Sequence, residues 1–345
     1  MTRLKGFRFC LLAVAFAFAP ALAQGADPDS VIGPDYADAP ETVANPAVPQ
    51  GDVQEFVMNS QDSKIYPGIV RLEGPLADRR DAYGNRIAAP PDMISRPGPY
   101  ERHVWVYIPK QYVPGTPAPF MVIQDGHSYV KRMAPVLDNL IAAHRLPAMI
   151  LVMPDSGGSD AQGSERGLEY DTISDRYTRW VESELLPRVA HDYHVAFTKD
   201  PEGRAAMGGS SGGICAFTMA WFHPELYRRV LTYSGTYVNQ ASPVDPAIRR
   251  GGWEYHDHII ADAPKKPIKV WMEVGENDLG YDQPETTWHN WPLANKRFAA
   301  VLKAKGYDYR FVFARGAKHV DPRVVEQTLP SALEWLWAGY KPSGR

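Results

Sequence analysis

The sequence predicts an α/β protein with a mostly parallel central sheet and helices on both faces. Short apolar runs rich in Val, Ile, Phe and Tyr recur at residues 103–108, 120–124, 148–153, 204–207, 229–233, 268–274 and 309–313. Most are separated by stretches with apolar residues at helical spacing, of which the clearest are 171–191, 290–305 and 324–340. Strands that alternate with helices favour parallel pairing, with a layer of helices on each face. Ligands of such sheets bind beyond the carboxyl ends of the strands.

The composition is that of an ordinary globular chain. Of its 345 residues, 44% are hydrophobic and 22% are charged, which excludes a disordered chain or one that crosses a membrane many times. The formal charge is −3, whereas nucleic-acid-binding domains carry a clear basic excess. We therefore expect no nucleic-acid partner.

The first 23 residues predict a secretory signal peptide. Three basic residues precede an apolar run over residues 9–19, and Ala21-Leu22-Ala23 provides a cleavage site. The apolar run stops at Pro20, well short of the roughly 20 residues that a membrane-spanning helix needs. We therefore expect a periplasmic or secreted protein with no stable membrane anchor after cleavage. Cys215 would then be its single cysteine, a buried one, and no disulfide could form within the chain.

The remaining chain predicts a leader, an insertion and one domain. Residues 24–51 are rich in Pro, Ala and Asp without hydrophobic periodicity, which favours a flexible leader. Residues 75–99 carry loop chemistry and predict an insertion between early strands. Since no repeat or low-complexity block interrupts the α/β pattern, residues 52–345 are interpreted as a single domain.

A glycine-serine turn at residues 208–213 is the candidate nucleophile site. It follows a strand of small residues and precedes an apolar helical run, the context of a Gly-x-Ser-x-Gly nucleophile elbow. The turn can be centred on Ser210 or on Ser211. We favour Ser210, because the strand should end just before Gly208 and Gly213 would then let the helix pack closely on the sheet. A purely structural Gly-Ser loop is the alternative.

A nucleophilic serine needs a base and an acid, which should follow it in the order Ser, Asp, His. Asp278 follows the strand at 268–274, and His319 follows the next strand. We expect His319 to take the serine proton and Asp278 to orient the imidazole. Glu276 and Asp282 are alternative acids.

The chemistry also needs N–H donors for the negative oxygen that forms in the transition state. One would be the backbone N–H of Ser211, directly after the nucleophile. The second would come from Gly126 or His127, which follow the strand at 120–124. A plain Asp-Gly turn is the alternative at that position.

Several separated motifs together resemble a family of esterases. They are Arg204-x-x-x-Gly-x-Ser-x-Gly-Gly213, Gln124-Asp-Gly126, Arg166-x-x-Glu-Tyr170, Glu184-Leu-Leu-Pro187, Gly275-x-x-Asp278 and His319. The family contains esterase D, enterochelin esterases, feruloyl and acetylxylan esterases and the mycolyltransferases. The resemblance covers about residues 54–342 and is closest to the secreted, enterochelin-esterase-like branch. It implies an α/β-hydrolase fold and a cofactor-free triad of Ser210, Asp278 and His319, with Ser210 rather than Ser211 as nucleophile.

Candidate substrate contacts are less distinct. Tyr281, Trp288 and Trp291 follow the expected acid and would suit an aromatic or sugar-bearing substrate, or they could be core beneath a loop. Arg166 could bind a substrate carboxylate or brace the following helix.

We expect no metal site and no cofactor. The pairs His191 with His194 and His256 with His258 lack a second cluster that would complete a metal site, and we expect them to be solvated. The chain also carries no dinucleotide-binding or phosphate-loop motif at a strand-helix junction.

The sequence thus predicts a secreted serine hydrolase of small-molecule carboxylic esters that acts through an acyl-enzyme on Ser210. Alternatives are acyl transfer on the same triad, or a feruloyl or acetyl esterase acting on carbohydrate esters. A carbohydrate or siderophore binder without catalysis is the alternative from another class. The acyl and alcohol parts of the substrate and the oligomeric state stay open.

Overall fold

A computed structural model describes residues 29–71, 95–158, 165–241 and 247–341. The expected signal peptide and residues 75–94 of the expected insertion lie outside these ranges. The strands are β1 (Asp29–Ile32), β2 (Asp52–Asn59), β3 (Ile69–Arg71), β4 (Ser95–Pro97), β5 (Glu101–Ile108), β6 (Pro117–Ala118), β7 (Phe120–Ile123), β8 (Ile150–Pro154), β9 (Ala196–Phe197), β10 (Arg204–Gly209), β11 (Arg229–Tyr233), β12 (Lys269–Gly275) and β13 (Asp308–Ala314). The α-helices are α1 (Gly126–Ala142), α2 (Arg176–Trp180), α3 (Leu186–Tyr193), α4 (Ser211–Phe222), α5 (Ile260–Asp262), α6 (Trp291–Ala304) and α7 (Pro322–Trp337).

Nine of these strands form one sheet in the order β1-β13-β12-β11-β10-β7-β8-β5-β2. All pairs from β1 to β8 are parallel, and β5 and β2 add two antiparallel pairs at the far edge. Two short pairs, β3 with β4 and β6 with β9, lie outside the main sheet. The predicted mostly parallel sheet is confirmed.

Helices cover both faces of the sheet, as predicted. On one face, side chains of α2, α3, α4 and α6 share one core with the even-numbered residues of β12, and this core includes Trp180, Phe217 and Phe298. On the other face, α1 and α7 form a second core around Leu137 and Leu333. Because the strands between these layers run parallel, their carboxyl ends meet at one edge of the sheet.

Residues 29–51 depart from the flexible leader that their composition predicts. Residues Asp29–Ile32 form the edge strand β1, parallel to β13. Beyond it, the Tyr36 hydroxyl donates to the carbonyl of Arg315 at 2.6 Å, and the Asn139 amide donates to two carbonyls of this segment. Backbone groups form most of the hydrogen bonds that hold this segment, and amino-acid composition carries no information about such bonds.

The helix predicted over residues 171–191 is divided in the structure. Residues Gly167–Asp171 form a π-helical turn that ends at Thr172, whose backbone is extended. The chain is helical again from Arg176, and a second π-helical turn, Val181–Leu185, joins α2 to α3. Within the described part of the chain, none of the helices combines the length and apolar character needed to cross a membrane.

Candidate active site

The glycine-serine turn forms a tight strand-to-helix junction. Ser210 joins β10 to α4 with φ 55° and ψ −126°, in the positive-φ region that side chains other than glycine rarely adopt. A Cβ on Gly208 would lie 2.3 Å from the carbonyl carbon of Gly212, so this position requires glycine. The Ser210 N–H donates to the Tyr233 carbonyl at 2.9 Å, which fixes the turn to the end of β11. A strained backbone held in this way matches the predicted elbow centred on Ser210.

Asp278 and His319 come together at the same edge of the sheet. They follow β12 and β13, which are neighbours, and the His319 Nδ1 lies 2.6 Å from Asp278 Oδ1. The Asp278 side chain is fully buried, whereas that of His319 is 24% exposed. The Leu279 N–H also donates to Asp278 Oδ1, at 2.6 Å. The aspartate is therefore oriented by its own loop and can fix the imidazole tautomer with Nδ1 protonated.

The alternative acids lie apart from this pair. Glu276 is exposed and accepts a hydrogen bond from the Gly316 N–H at 2.9 Å, and Asp282 is also exposed. In the described structure, neither contacts His319, so the geometry favours Asp278.

Val320, the residue after His319, connects the His319 loop to the elbow. The Val320 N–H donates to Ser234 Oγ at 2.9 Å, and a Cβ on Gly209 would lie 3.1 Å from the Val320 side chain. The Ser210 hydroxyl is 3.3 Å from Thr236 Oγ1, and among the described residues no hydrogen bond joins it to His319. Catalytic hydrogen bonds are often long in free enzymes and tighten when substrate binds.

Thr236 is a neighbour of the Ser210 hydroxyl that the sequence motifs did not identify. It is buried, and its N–H donates to the Ser210 carbonyl at 3.1 Å. Its position three residues after β11, at the carboxyl edge of the sheet, is the signal that could have identified it.

Two helix starts supply the candidate oxyanion donors. Ser211 is the first residue of α4 and Gly126 is the first residue of α1, so their N–H groups have no acceptor within their helices. The N–H of His127 donates instead to Asp155 Oδ1 at 3.0 Å, and its ring nitrogen Nδ1 lies 2.8 Å from the same oxygen. Because this contact occupies the His127 N–H, the geometry favours Gly126 over His127.

A family model described as Putative esterase matches residues 97–330 of the chain. The chain belongs to this esterase family. Membership supports a carboxylic ester hydrolase and agrees with the α/β-hydrolase fold.

Two relatives and two solved structures are similar to the chain at low identity. The Iron(III) enterobactin esterase of Dickeya dadantii is 26% identical over 292 residues, which are 76% of this chain and 59% of that protein. An uncharacterised Bacillus subtilis protein is 23% identical over 255 residues, 68% of this chain and 92% of the relative. The enterobactin esterase of Shigella flexneri superposes with a TM-score of 0.54 at 20% identity, over 84% of this chain and 61% of that one. A ferulic acid esterase gives a TM-score of 0.54 at 18% identity, over 84% and 99% of the two chains.

The residues considered for substrate binding divide into exposed and structural ones. In this esterase Tyr281 is 55% exposed, and Trp288 is half-buried beside the Arg250 guanidinium. Trp291 is buried, and its ring packs edge-on against the His319 ring, with centroids 5.8 Å apart. Arg166 forms an ion pair with Asp125. Tyr281 and Trp288 therefore remain candidate substrate contacts, whereas Trp291 is a buried support for the His319 ring.

The expectation that both histidine pairs are solvated is wrong for His256. His256 is buried rather than solvated, and its Nε2 lies 2.9 Å from the Tyr237 carbonyl. Burial lowers its pKa to about 4, so the ring is neutral at neutral pH. Its neighbour His258 lies in a cluster with Glu254 and Asp257, and the guanidinium of Arg250 bonds both carboxylates.

Cys215 lies one turn into α4 and is buried, as the sequence predicts. Burial raises the pKa of its thiol well above the ordinary value. A buried, protonated thiol is a small apolar side chain and a poor nucleophile.

Proposed function

We propose that the protein is a serine esterase that cleaves a small-molecule carboxylic ester through an acyl-enzyme on Ser210. One observation carries the proposal. Ser210 occupies a positive-φ turn after β10, and the hydrogen-bonded Asp278 and His319 follow neighbouring strands at the same edge of the sheet. This is the chain order and placement that nucleophilic acyl transfer requires in an α/β-hydrolase.

In the proposed first step, His319 Nε2 accepts the hydroxyl proton of Ser210 as Ser210 Oγ attacks the ester carbonyl carbon. The resulting imidazolium is stabilised by Asp278, whose Oδ1 lies 2.6 Å from His319 Nδ1. The negative tetrahedral oxygen would be bound by the N–H groups of Ser211 and Gly126. The C–O bond to the alcohol then breaks, and His319 returns the proton to the departing oxygen.

In the second step, water replaces the alcohol. His319 removes a proton from water as the water oxygen attacks the acyl carbon. The bond between the acyl carbon and Ser210 Oγ then breaks, and His319 returns the proton to Ser210 Oγ. The carboxylic acid is released and the enzyme is regenerated without a cofactor.

We propose substrates similar to the compounds after which the structural neighbours are named. Neighbours include an enterobactin esterase solved in the presence of 2,3-di-hydroxy-N-benzoyl-glycine and a ferulic acid esterase. The exposed ring of Tyr281 and the half-buried ring of Trp288 follow the acid and suit a flat aromatic group. We therefore place an enterochelin-esterase-like activity first, and a feruloyl or acetyl esterase for carbohydrate esters second.

We also propose that residues 1–23 direct export and are removed, so that the mature protein is periplasmic or secreted. Amino-terminal sequencing of protein recovered from the periplasm or medium tests this. A start at Gln24 is expected, and an intact amino terminus on protein found only inside the cell contradicts it.

The deciding experiment measures hydrolysis of p-nitrophenyl acyl esters by residues 24–345 and by two matched variants. Ser210→Ala should lower kcat by about 10³-fold or more, whereas Ser211→Ala, which keeps its backbone N–H, should retain most activity. A fluorophosphonate should label the wild type and Ser211→Ala but not Ser210→Ala. If the wild type neither turns over these esters nor reacts with the probe, the catalytic proposal fails.

The alternative of acyl transfer is tested on the same preparation. Products are separated after reaction with and without added alcohols or sugars. A hydrolase gives free acid as the main product in both cases, whereas an acyltransferase gives a new ester whose yield rises with the acceptor.

A further inference from the structure

The sequence motif Arg166-x-x-Glu-Tyr170 has no part in the triad, yet two of its side chains converge on one residue. Arg166 Nη2 donates to Asp125 Oδ2 at 2.9 Å, and Arg166 Nε donates to Asp125 Oδ1 at 3.2 Å. The Tyr170 hydroxyl accepts the backbone N–H of Asp125 at 3.3 Å. The guanidinium also lies over the Tyr170 ring, 5.3 Å from its centroid. Asp125 is thus bound at its side chain and at its backbone.

Asp125 needs such support because its backbone is left-handed. Its φ is 58° and its ψ is 55°, a conformation that costs energy for residues with a Cβ and is best tolerated by Gly, Asn and Asp. The turn lies between β7 and α1, so it sets the direction of the first N–H groups of α1. Gly126, the favoured oxyanion donor, is the next residue.

The Asp125 turn also abuts the helix that carries the other donor. A Cβ on Gly212 would lie 3.3 Å from Asp125 Oδ2 and 3.0 Å from the Cβ of Gln124. The Gln124 N–H donates to the Met207 carbonyl of β10 at 2.9 Å. The two helix starts are therefore in direct contact beside the nucleophile elbow.

We propose that Arg166 and Tyr170 are positioning residues that hold Asp125 left-handed and thereby aim the N–H groups at the start of α1 toward the oxyanion. This inference rests on the proposed function. An oxyanion donor acts on the transition state more than on the bound ester, so its misplacement lowers kcat and leaves KM nearly unchanged.

The test compares substitutions at Asp125 that differ in their tolerance of a left-handed backbone. Asp125→Asn keeps that tolerance and one hydrogen bond to Arg166, and should lose no more than about 5-fold in kcat. Asp125→Ala has neither that tolerance nor the hydrogen bond, and should lower kcat by about 30-fold or more. An aryl boronic acid, which forms a tetrahedral adduct on serine, should lose affinity in parallel with kcat.

A second set of variants tests the two supporting side chains. Arg166→Gln is made together with Asp125→Asn, so that the partly buried Asp125 carboxylate is not left without its partner, and Tyr170→Phe is made alone. Each should lower kcat by about 10-fold or more with KM within about 3-fold of wild type. Arg188→Gln, which removes an exposed arginine that pairs with Asp192, is the matched control and should leave both constants unchanged. Urea unfolding midpoints verify that each variant is folded.

Three results would overturn the inference while leaving the esterase intact. They are equal kcat values for the Asn and Ala variants at position 125, unaltered boronate affinity, and a rise in KM without loss of kcat in the Arg166 variant. The last would make Arg166 a substrate contact. If the wild type itself lacks activity and fluorophosphonate labelling, the proposed function fails instead, and the two failures are distinguished.

Discussion

Arg102 and Glu169 form an ion pair shielded from water, and we predict that removing one partner is far more damaging than removing both. Their side chains are 2% and 0% exposed, and Arg102 Nη1 donates to Glu169 Oε2 at 2.7 Å. The Tyr100 hydroxyl donates to the same carboxylate at 2.9 Å, and the guanidinium lies 4.3 Å from the centroid of the Trp180 ring. Arg102→Met would leave the Glu169 carboxylate buried without its countercharge.

The expected cost of Arg102→Met follows from that burial. Breaking a buried ion pair by removing one partner costs about 3–5 kcal/mol, whereas replacing both partners with apolar groups is often neutral or stabilising. For a chain of this length, that loss lowers the melting temperature by roughly 4–7 °C. The double variant Arg102→Met/Glu169→Leu should recover about 2 kcal/mol or more relative to the single variant.

The assay is urea unfolding followed by tryptophan fluorescence, with Arg145→Met as the matched control. Arg145 is 40% exposed and pairs with Glu334 and Glu41, which are 31% and 16% exposed, so its loss should cost about 1 kcal/mol or less. The reasoning is refuted if Arg102→Met is no more destabilising than the control, or if the double variant is no more stable than Arg102→Met.

Three further predictions concern single residues. Because burial lowers the pKa of His256 from 6.5 to about 4, its contribution to stability is complete above pH 6.5 and falls by up to roughly 3 kcal/mol as the pH drops to 4. His256→Gln should reduce the change of the urea unfolding midpoint with pH over that range. The same pH dependence in the variant and the wild type would contradict this. Cys215 should react with a thiol reagent only after unfolding, and rapid labelling of the native protein would show that it is accessible. Gly208→Ala should abolish ester hydrolysis and destabilise the fold by about 1–3 kcal/mol, since its Cβ would lie 2.3 Å from the Gly212 carbonyl carbon. Wild-type kcat in this variant would contradict the elbow.

The sheet could be predicted from the sequence because each buried strand carries its own local signal. The apolar run predicted at 229–233 coincides with β11 (Arg229–Tyr233), and the run at 204–207 falls inside β10 (Arg204–Gly209). The placement of Ser210, Asp278 and His319 follows from the same information, because side chains just past parallel strands meet at one edge. Their catalytic roles stay predictions.

Features that depend on distant parts of the chain could not be predicted in this way. The strand β1 is half-exposed and is defined by its partner β13 rather than by an apolar pattern. Whether Trp291 and His256 are buried depends on which loops cover them, and periodicity carries no such information. The hydrogen bond between Ser210 and Thr236 likewise joins two different strand ends.

The pairing of β1 with β13 also bears on how the protein folds. The side chain of Ser30 donates to the carbonyl of Phe311, a contact between residues 281 positions apart in the chain. Of the described strands, β1 comes first in the chain, and it has no partner until β13, the last of them, is available. Contacts of such long sequence separation form slowly, and an unpaired edge of β13 is a template for association with other chains until β1 docks. The closing of this edge is thus expected to be a late event in folding, and the step most exposed to aggregation.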